Sequence, residues 1–355
     1  MKSNYLRHPL LKFRGNNGST GTIEDLKVLF HKKLECLAIH QFNWIHQTEQ
    51  FRTLKQNLTE AEAVLHIDFS ENYACKMSTE VQAYHFGGSR KQATIHTAVL
   101  YTVHGTKSYT TLSDSLRHDE RAVWAHLEPI LKEIRATYPQ IMTLHVISDG
   151  PVTQYRNKAN FYLLSTVAFL SGFKHVSWNY SEKSHGKGAP DGIGGAVKRD
   201  ANLYVRRGGE LQTPLDLYEM LTKKSGSTIT HYWVNEESIQ KYDELVPEKL
   251  TAVKGTLKIH QVLSSQAAQI SHREVSCFCQ HAEMKTCLCY QPVKVDLRDT
   301  TDNSLSTPEP PKKQPPQDLS GKFVIVTYDE LPYVGQVLQV VGEENLSEQP
   351  HTTLS

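Results

Sequence analysis

Apolar positions change their period several times along the chain, and each change predicts an element. In IEDLKVLFHKKLECLAIHQF they recur three and four apart, so residues 1–60 read as helical. EAVLHIDF is a short apolar run that predicts a buried strand ending near Asp68. QATIHTAVLYTV and SYTTLS flank HGTK, which predicts a hairpin with that glycine-bearing stretch as its loop. DERAVWAHLEPILKEIRATY sets Val123, Leu127, Ile130 and Ile134 on one helical stripe, with Pro129 expected to kink or restart the helix. IMTLHVIS predicts a second buried strand ending at SDGP, and KHVSWNYS a third. Between them NKANFYLLSTVAFLSGF reads as one apolar helix closed by Gly172. GIGGAVKRDANLYVRR continues as a helix despite its glycines, and Thr213, Pro214 and Asp216 have the spacing of a helix start.

The order strand–hairpin–helix–strand–helix–strand–helix predicts an α/β fold, a mixed sheet flanked by helices. Five regions follow: a helical N-terminal region 1–60, an α/β domain 61–210, an extension 211–295 with a Cys-rich segment 277–289, a disordered linker 296–320, and strands in 321–343. The linker LRDTTDNSLSTPEPPKKQPPQDLSG is rich in Pro and Ser and has little to bury. KFVIVTYDELPYVGQVLQVVG alternates like the start of a small SH3-like or Tudor-like barrel, with too few strands to close one. No internal repeat is visible.

Composition narrows the partners little. Across 355 residues, 39 Lys+Arg stand against 38 Asp+Glu, so a nucleic-acid partner has to show as a local patch. Residues 151–207 offer one, with nine Lys/Arg against three Asp/Glu. No apolar run approaches the roughly 20 residues of a membrane span. The N-terminus has no signal-peptide apolar core, so the expectation is an intracellular protein, not secreted and without a membrane partner. In a reducing compartment Cys277, Cys279, Cys287 and Cys289 read as ligands of a structural Zn²⁺ or as reduced thiols; their C-x-C spacing is tighter than the usual one.

Three carboxylates carry the candidate chemistry. Asp68 ends the first strand, Asp149 ends IMTLHVIS, and Asp191 opens the helix after KHVSWNYS. Carboxylates at strand ends converge on one edge of an open sheet. There they could hold two Mg²⁺ or Mn²⁺ ions with hard oxygen ligands and serve phosphoryl transfer. Asp149 in SDGP is also an ordinary turn residue, and Asp68 an ordinary strand-end cap. SHGKGAPDGIGG, residues 184–195, fits neither the dinucleotide fingerprint nor the P-loop. Gly186 and Gly188 would allow close backbone approach there, and Gly192, Gly194 and Gly195 tight helix packing. His185, Lys187, Lys198 and Arg199 are candidate contacts to a nucleic-acid backbone, and solvated positions otherwise. Glu71 lies three residues after Asp68, with Ser70 where a proofreading-type exonuclease would place its acid.

HIDFSENY, VISDGPVTQY and WNYSEKSHGKGAPDGIGGAVKR together resemble the ribonuclease-H-like catalytic core of DDE/D transposases and retroviral integrases. The resemblance covers about residues 62–207. It implies that Asp68 bridges both metals, that Asp149 binds one, and that Asp191 stands where the family more usually has Glu. It implies a transposon-derived, DNA-binding protein that cleaves or transfers strands at phosphodiesters, with a nuclear location and room for homo-oligomers. A domesticated, catalytically inactive nucleic-acid or chromatin-binding protein with the same fold is the alternative, since residues 1–60 show no zinc finger or helix-turn-helix. A nuclease acting on RNA or hybrids is a third.

Overall fold

One nine-stranded mixed sheet organises the first of two units, Met1–Asp299; the second is Thr300–Ser355. The structure is a computed structural model, and it describes residues 13–14, 20–78, 90–186, 188–279, 289–298, 323–328 and 331–336. A short pair, β1 (Phe13–Arg14) and β2 (Thr20–Gly21), leads into the long helix α1 (Ile23–Gln56). A capping box starts α1: the Thr22 hydroxyl accepts from the Asp25 N–H, and the Asp25 carboxylate accepts from the Thr22 N–H. Then come β3 (Glu62–Ala74), β4 (Gln92–Thr102), β5 (Gly105–Ser113), α2 (Glu120–Thr137) and β6 (Thr143–Ser148). Next are α3 (Lys158–Leu164), α4 (Val167–Leu170), β7 (His175–Tyr180), α5 (Ala189–Arg206) and α6 (Pro214–Lys223). The unit ends with β8 (Ile229–Trp233), α7 (Glu236–Leu245), β9 (Gln261–Gln266), β10 (Gln269–Arg273) and β11 (Val293–Asp296). The second unit contains an antiparallel pair, β12 (Phe323–Tyr328) and β13 (Leu331–Gln336).

The sheet order is β11-β10-β9-β7-β6-β3-β4-β5-β8. β3, β6 and β7 run parallel at its centre, while β4 pairs antiparallel with both β3 and β5. Side chains of β3 alternate between two faces. Ala63, Leu65 and Ile67 join the large core under α2 and α3, which includes Trp124, Phe161 and Trp178. Val64 turns to the other face and packs with Leu54 of α1 and Ile147. On that second face a separate core joins Tyr73, Ile95 and Leu112 to Val197 and Ala201 of α5 and Leu217 of α6.

Several local expectations change. Asp68 lies inside β3, because the strand runs on to Ala74 as a partner of β4 after its parallel pairing with β6 stops at His66. The hairpin loop is shorter than HGTK: strand pairing resumes at Gly105, whose φ of +123° makes the turn. Pro129 sits within an unbroken α2. The apolar stretch after Asn157 splits into α3 and α4, because the Ser165 and Thr166 hydroxyls both donate to the Tyr162 carbonyl and compete with the helix ladder. Residues 211–295 are no appendage, since β8 to β11 extend the same sheet on both sides. Asp296 ends β11, Leu297 is fully buried and Arg298 forms an isolated bridge to Leu250, so the first three residues read as linker are part of this unit's structure. The remainder of that linker lies outside the described residues.

Candidate metal and catalytic site

The second face of β3 carries His66, Asp68 and Ser70 in succession, because residues two apart share a face. The glycine-rich stretch lies directly on this row. A Cβ on Gly188 would sit 2.5 Å from His66 Cε1, and one on Gly194 would sit 2.5 Å from Ser70 Oγ. Asp191 falls between those two glycines as Asp68 falls between their partners, which brings α5's first turn onto Asp68. A Cβ on Gly186 would lie 2.8 Å from Asp149 Cβ, so the same stretch also closes on the end of β6. Gly192 and Gly195 differ from expectation: a Cβ there would meet nothing within 4 Å, and neither is required for packing.

Gly194→Val is therefore expected to destabilise the fold by about 1–3 kcal/mol through overpacking. Replacing Ser70 by Gly in that background should recover part of the loss. Urea denaturation of the two variants checks this, and an unchanged midpoint in Gly194→Val would refute the close α5–β3 contact.

The electrostatics match the geometry. Burial, with the negative charges of Asp149 and Asp191, pushes the Asp68 carboxyl up to about 7. Burial likewise pushes Asp149 up to about 6, against the positive field of Arg156 and with Asp191 adding repulsion. Asp149 Oδ1 is buried with no hydrogen-bond partner among the described residues. A desolvated carboxylate oxygen left in this state is costly unless it meets a cation. Asp191 is exposed, and its Oδ2 accepts the Gly188 N–H at 2.7 Å as part of a capping box. Among the described residues, the three carboxylates do not form a group whose ligand atoms all lie within 4.8 Å of one another; Cys277, Cys279 and Cys289 do, and they could hold a metal such as zinc. Cys287 lies outside the described residues.

Residues not singled out in the sequence complete the site. His66 is half-buried, its Nδ1 atom has no hydrogen-bond partner among the described residues, and burial lowers its imidazole to about 3, so it is neutral beside the acids. The period-two alternation through HIDFS, which sets His66 on the face of Asp68, was the available signal. The guanidinium of Arg156 stacks on the Tyr180 ring at 4.7 Å, donates to the Leu257 carbonyl, and lies where a Gly150 Cβ would be 2.3 Å away. Gly150 thus admits Arg156 behind Asp149, which gives SDGP a purpose beyond turning the chain. Tyr155 is fully buried near both acids, and burial together with their charges holds its hydroxyl protonated.

The candidate backbone contacts divide. His185 stacks on Trp44 at 4.3 Å, and its Nε2 lies 3.2 Å from His40 Nε2, so α1 fixes its ring. Lys198 pairs with Glu71 at 3.7 Å, Arg199 is exposed, and Lys187 lies outside the described residues. The basic excess in 151–207 is not one patch. Arg156 is buried, Lys158 donates to the Leu250 carbonyl, and Lys174 precedes β7 at the opposite end of the parallel strands from Asp149. A cavity of about 460 Å³ opens beside the acids instead, between α1 and the glycine stretch, with Trp44, Phe51, Lys55, His66 and His185 in its wall. Among the described residues no helix is long and apolar enough to cross a membrane.

The model of a family described as "Domain of unknown function (DUF8701)" matches residues 47–276, well over half the chain. The match takes in all three aspartates and Arg156. No curated protein and no solved structure matches significantly.

Proposed function

We propose that the chain, which belongs to this family, is a divalent-metal-dependent polynucleotidyl transferase or nuclease of the transposase and integrase kind, acting on DNA phosphodiesters. The observation that carries the proposal is that Asp68, Asp149 and Asp191, from three separate elements, lie within electrostatic reach of one another, with the first two carboxyls raised and Asp149 Oδ1 buried without a hydrogen bond among the described residues. Perturbed acids gathered in a cleft are a mark of function more often than of structure. The strand–hairpin–helix–strand–helix–strand–helix order of β3 to α5 supports the finer assignment to a ribonuclease-H-like core.

The donor set suits Mg²⁺ or Mn²⁺, since Asp68 and Asp149 offer hard carboxylate oxygens. Two such ions, when bound, would supply charge neutralisation at the phosphodiester and acidify a water or a DNA 3′-hydroxyl. Asp68, which feels the charge of both other acids, would hold the ions together with Asp149 and Asp191. Arg156 holds Asp149 toward its charged form. The cavity wall of Lys55, Trp44 and Phe51 offers a cation and aromatic faces to a strand entering the site. The β12–β13 hairpin, as the start of an SH3-like or Tudor-like module, would add DNA or chromatin contacts.

A second proposal has one observation in its favour. Asp191 spends an oxygen on the Gly188 N–H, as a helix cap would. A catalytically inactive nucleic-acid or chromatin-binding protein that keeps the fold would leave it there. Incubation of the full chain with short DNA duplexes in Mn²⁺ separates the two. Strand cleavage supports the enzyme, and binding without cleavage supports the inactive protein.

A further inference from the structure

Cys277, Cys279 and Cys289 stand apart from the carboxylate site, on the two arms that leave the paired strands β10 and β11. β10 and β11 pair antiparallel out to His272 opposite Val293. Cys277 follows this last pair by five residues and Cys289 precedes it by four, so the register brings the two arms out side by side. With Cys279 they form a group whose sulfur atoms all lie within 4.8 Å of one another. Tetrahedral zinc with Zn–S bonds of about 2.3 Å needs sulfurs about 3.8 Å apart, a small further closure. A disulfide would use two of the three thiols and strand the third.

Both arms are anchored to α1. The Ser276 N–H donates to Gln47 Oε1 at 2.7 Å, and the Phe278 N–H donates to Gln50 Oε1 at 3.1 Å. His46 Nε2 lies 2.7 Å from the Ser276 carbonyl, and the His46 ring meets Tyr290 edge-on at 5.3 Å. Beyond Cys289 the chain reverses through Tyr290 and Gln291 at φ of 56° and 45°, a conformation a side chain adopts only when its surroundings hold it there. The buried Arg273 guanidinium donates to Gln261 Oε1 at 2.9 Å and lies 3.5 Å from the Cys277 carbonyl. Arg273 thus ties the backbone of the first cysteine to β9.

We propose that Cys277, Cys279 and Cys289 bind a structural Zn²⁺ ion that fastens the β10–β11 connection to α1. The three thiols lose their protons on binding, and no oxidation occurs. Because α1 also walls the cavity beside the acids, the ion fixes one side of that cavity without touching the chemistry.

The test is the metal content of the full chain purified under reducing conditions without chelator. About one zinc per chain is expected, with replacement by Co²⁺ giving a thiolate-to-metal charge-transfer absorption. Cys279→Ser should lower bound zinc at least tenfold, and Asp149→Asn should leave it unchanged. Should the cysteine variant fail to fold, titration of the wild-type chain with an organomercurial replaces it. Zinc release in step with three modified thiols supports the site, and release out of step overturns it. Less than a tenth of an equivalent of zinc with every thiol reduced, or zinc retained in the C277S/C279S/C289S variant, also overturns it.

Discussion

Asp149→Asn is expected to abolish Mn²⁺-dependent cleavage of short DNA duplexes, by at least ~10²–10³-fold. The amide has the size of the carboxylate but no charge, and Asp149 Oδ1 is a buried oxygen with no hydrogen-bond partner among the described residues. Asp68→Asn should be equally severe, because Asp68 faces both other acids. Asp191 allows a finer separation. Its Oδ2 accepts the Gly188 N–H, a role that an asparagine oxygen can keep. Asp191→Asn therefore removes the ligand and retains the cap, whereas Asp191→Ala removes both. Loss of cleavage in both variants, with a lower melting temperature only in the alanine variant, identifies a ligand. Full activity in Asp149→Asn would end the catalytic proposal. A melting curve of the asparagine variant distinguishes loss of the ligand from misfolding, since the amide also removes the negative charge that the buried Arg156 faces.

Metal binding should raise thermal stability, and the increase should depend on pH. In the metal-free chain Asp68 takes up its proton near 7 and Asp149 near 6, against an ordinary 3.8 for both. The folded state thus binds more protons than the unfolded state between about pH 4 and 7. Stability falls as pH rises through that window, and it is fully present below it. Mn²⁺ needs the deprotonated carboxylates, so its stabilisation grows over the same range and is greatest above pH 7. At a hundredfold excess over its dissociation constant a ligand adds about 2.7 kcal/mol. For a unit of this size that corresponds to roughly 4 °C. Asp68→Asn should melt higher than wild type at pH 8 without metal and respond little to Mn²⁺. A Mn²⁺ response that is independent of pH, or retained in Asp68→Asn, would remove these acids from the metal site.

The sequence carried the central part of the sheet because its strands are apolar runs bounded by turn residues, and their order alone separates a mixed sheet from other α/β arrangements. The strands from 229 onward were harder to see. β8 and β11 have no buried residue, and β10 mixes exposed and buried positions without a clean period. Asp68, Asp149 and Asp191 could be picked out by their positions relative to strands. His66 and Arg156 could not, because a histidine inside an apolar run and an arginine after a turn have many ordinary uses. Their roles come from tertiary placement: His66 under Gly188, and Arg156 against Gly150. The basic excess in 151–207 misled for the same reason, since a count of charges does not tell which end of a strand each one occupies.

Anomalous scattering from crystals of the full chain grown in Mn²⁺ tests the metal site most directly. Manganese peaks about 2.1 Å from carboxylate oxygens of Asp68 and Asp149 are expected. Saturating Mn²⁺ with no peak at these two residues would contradict the account.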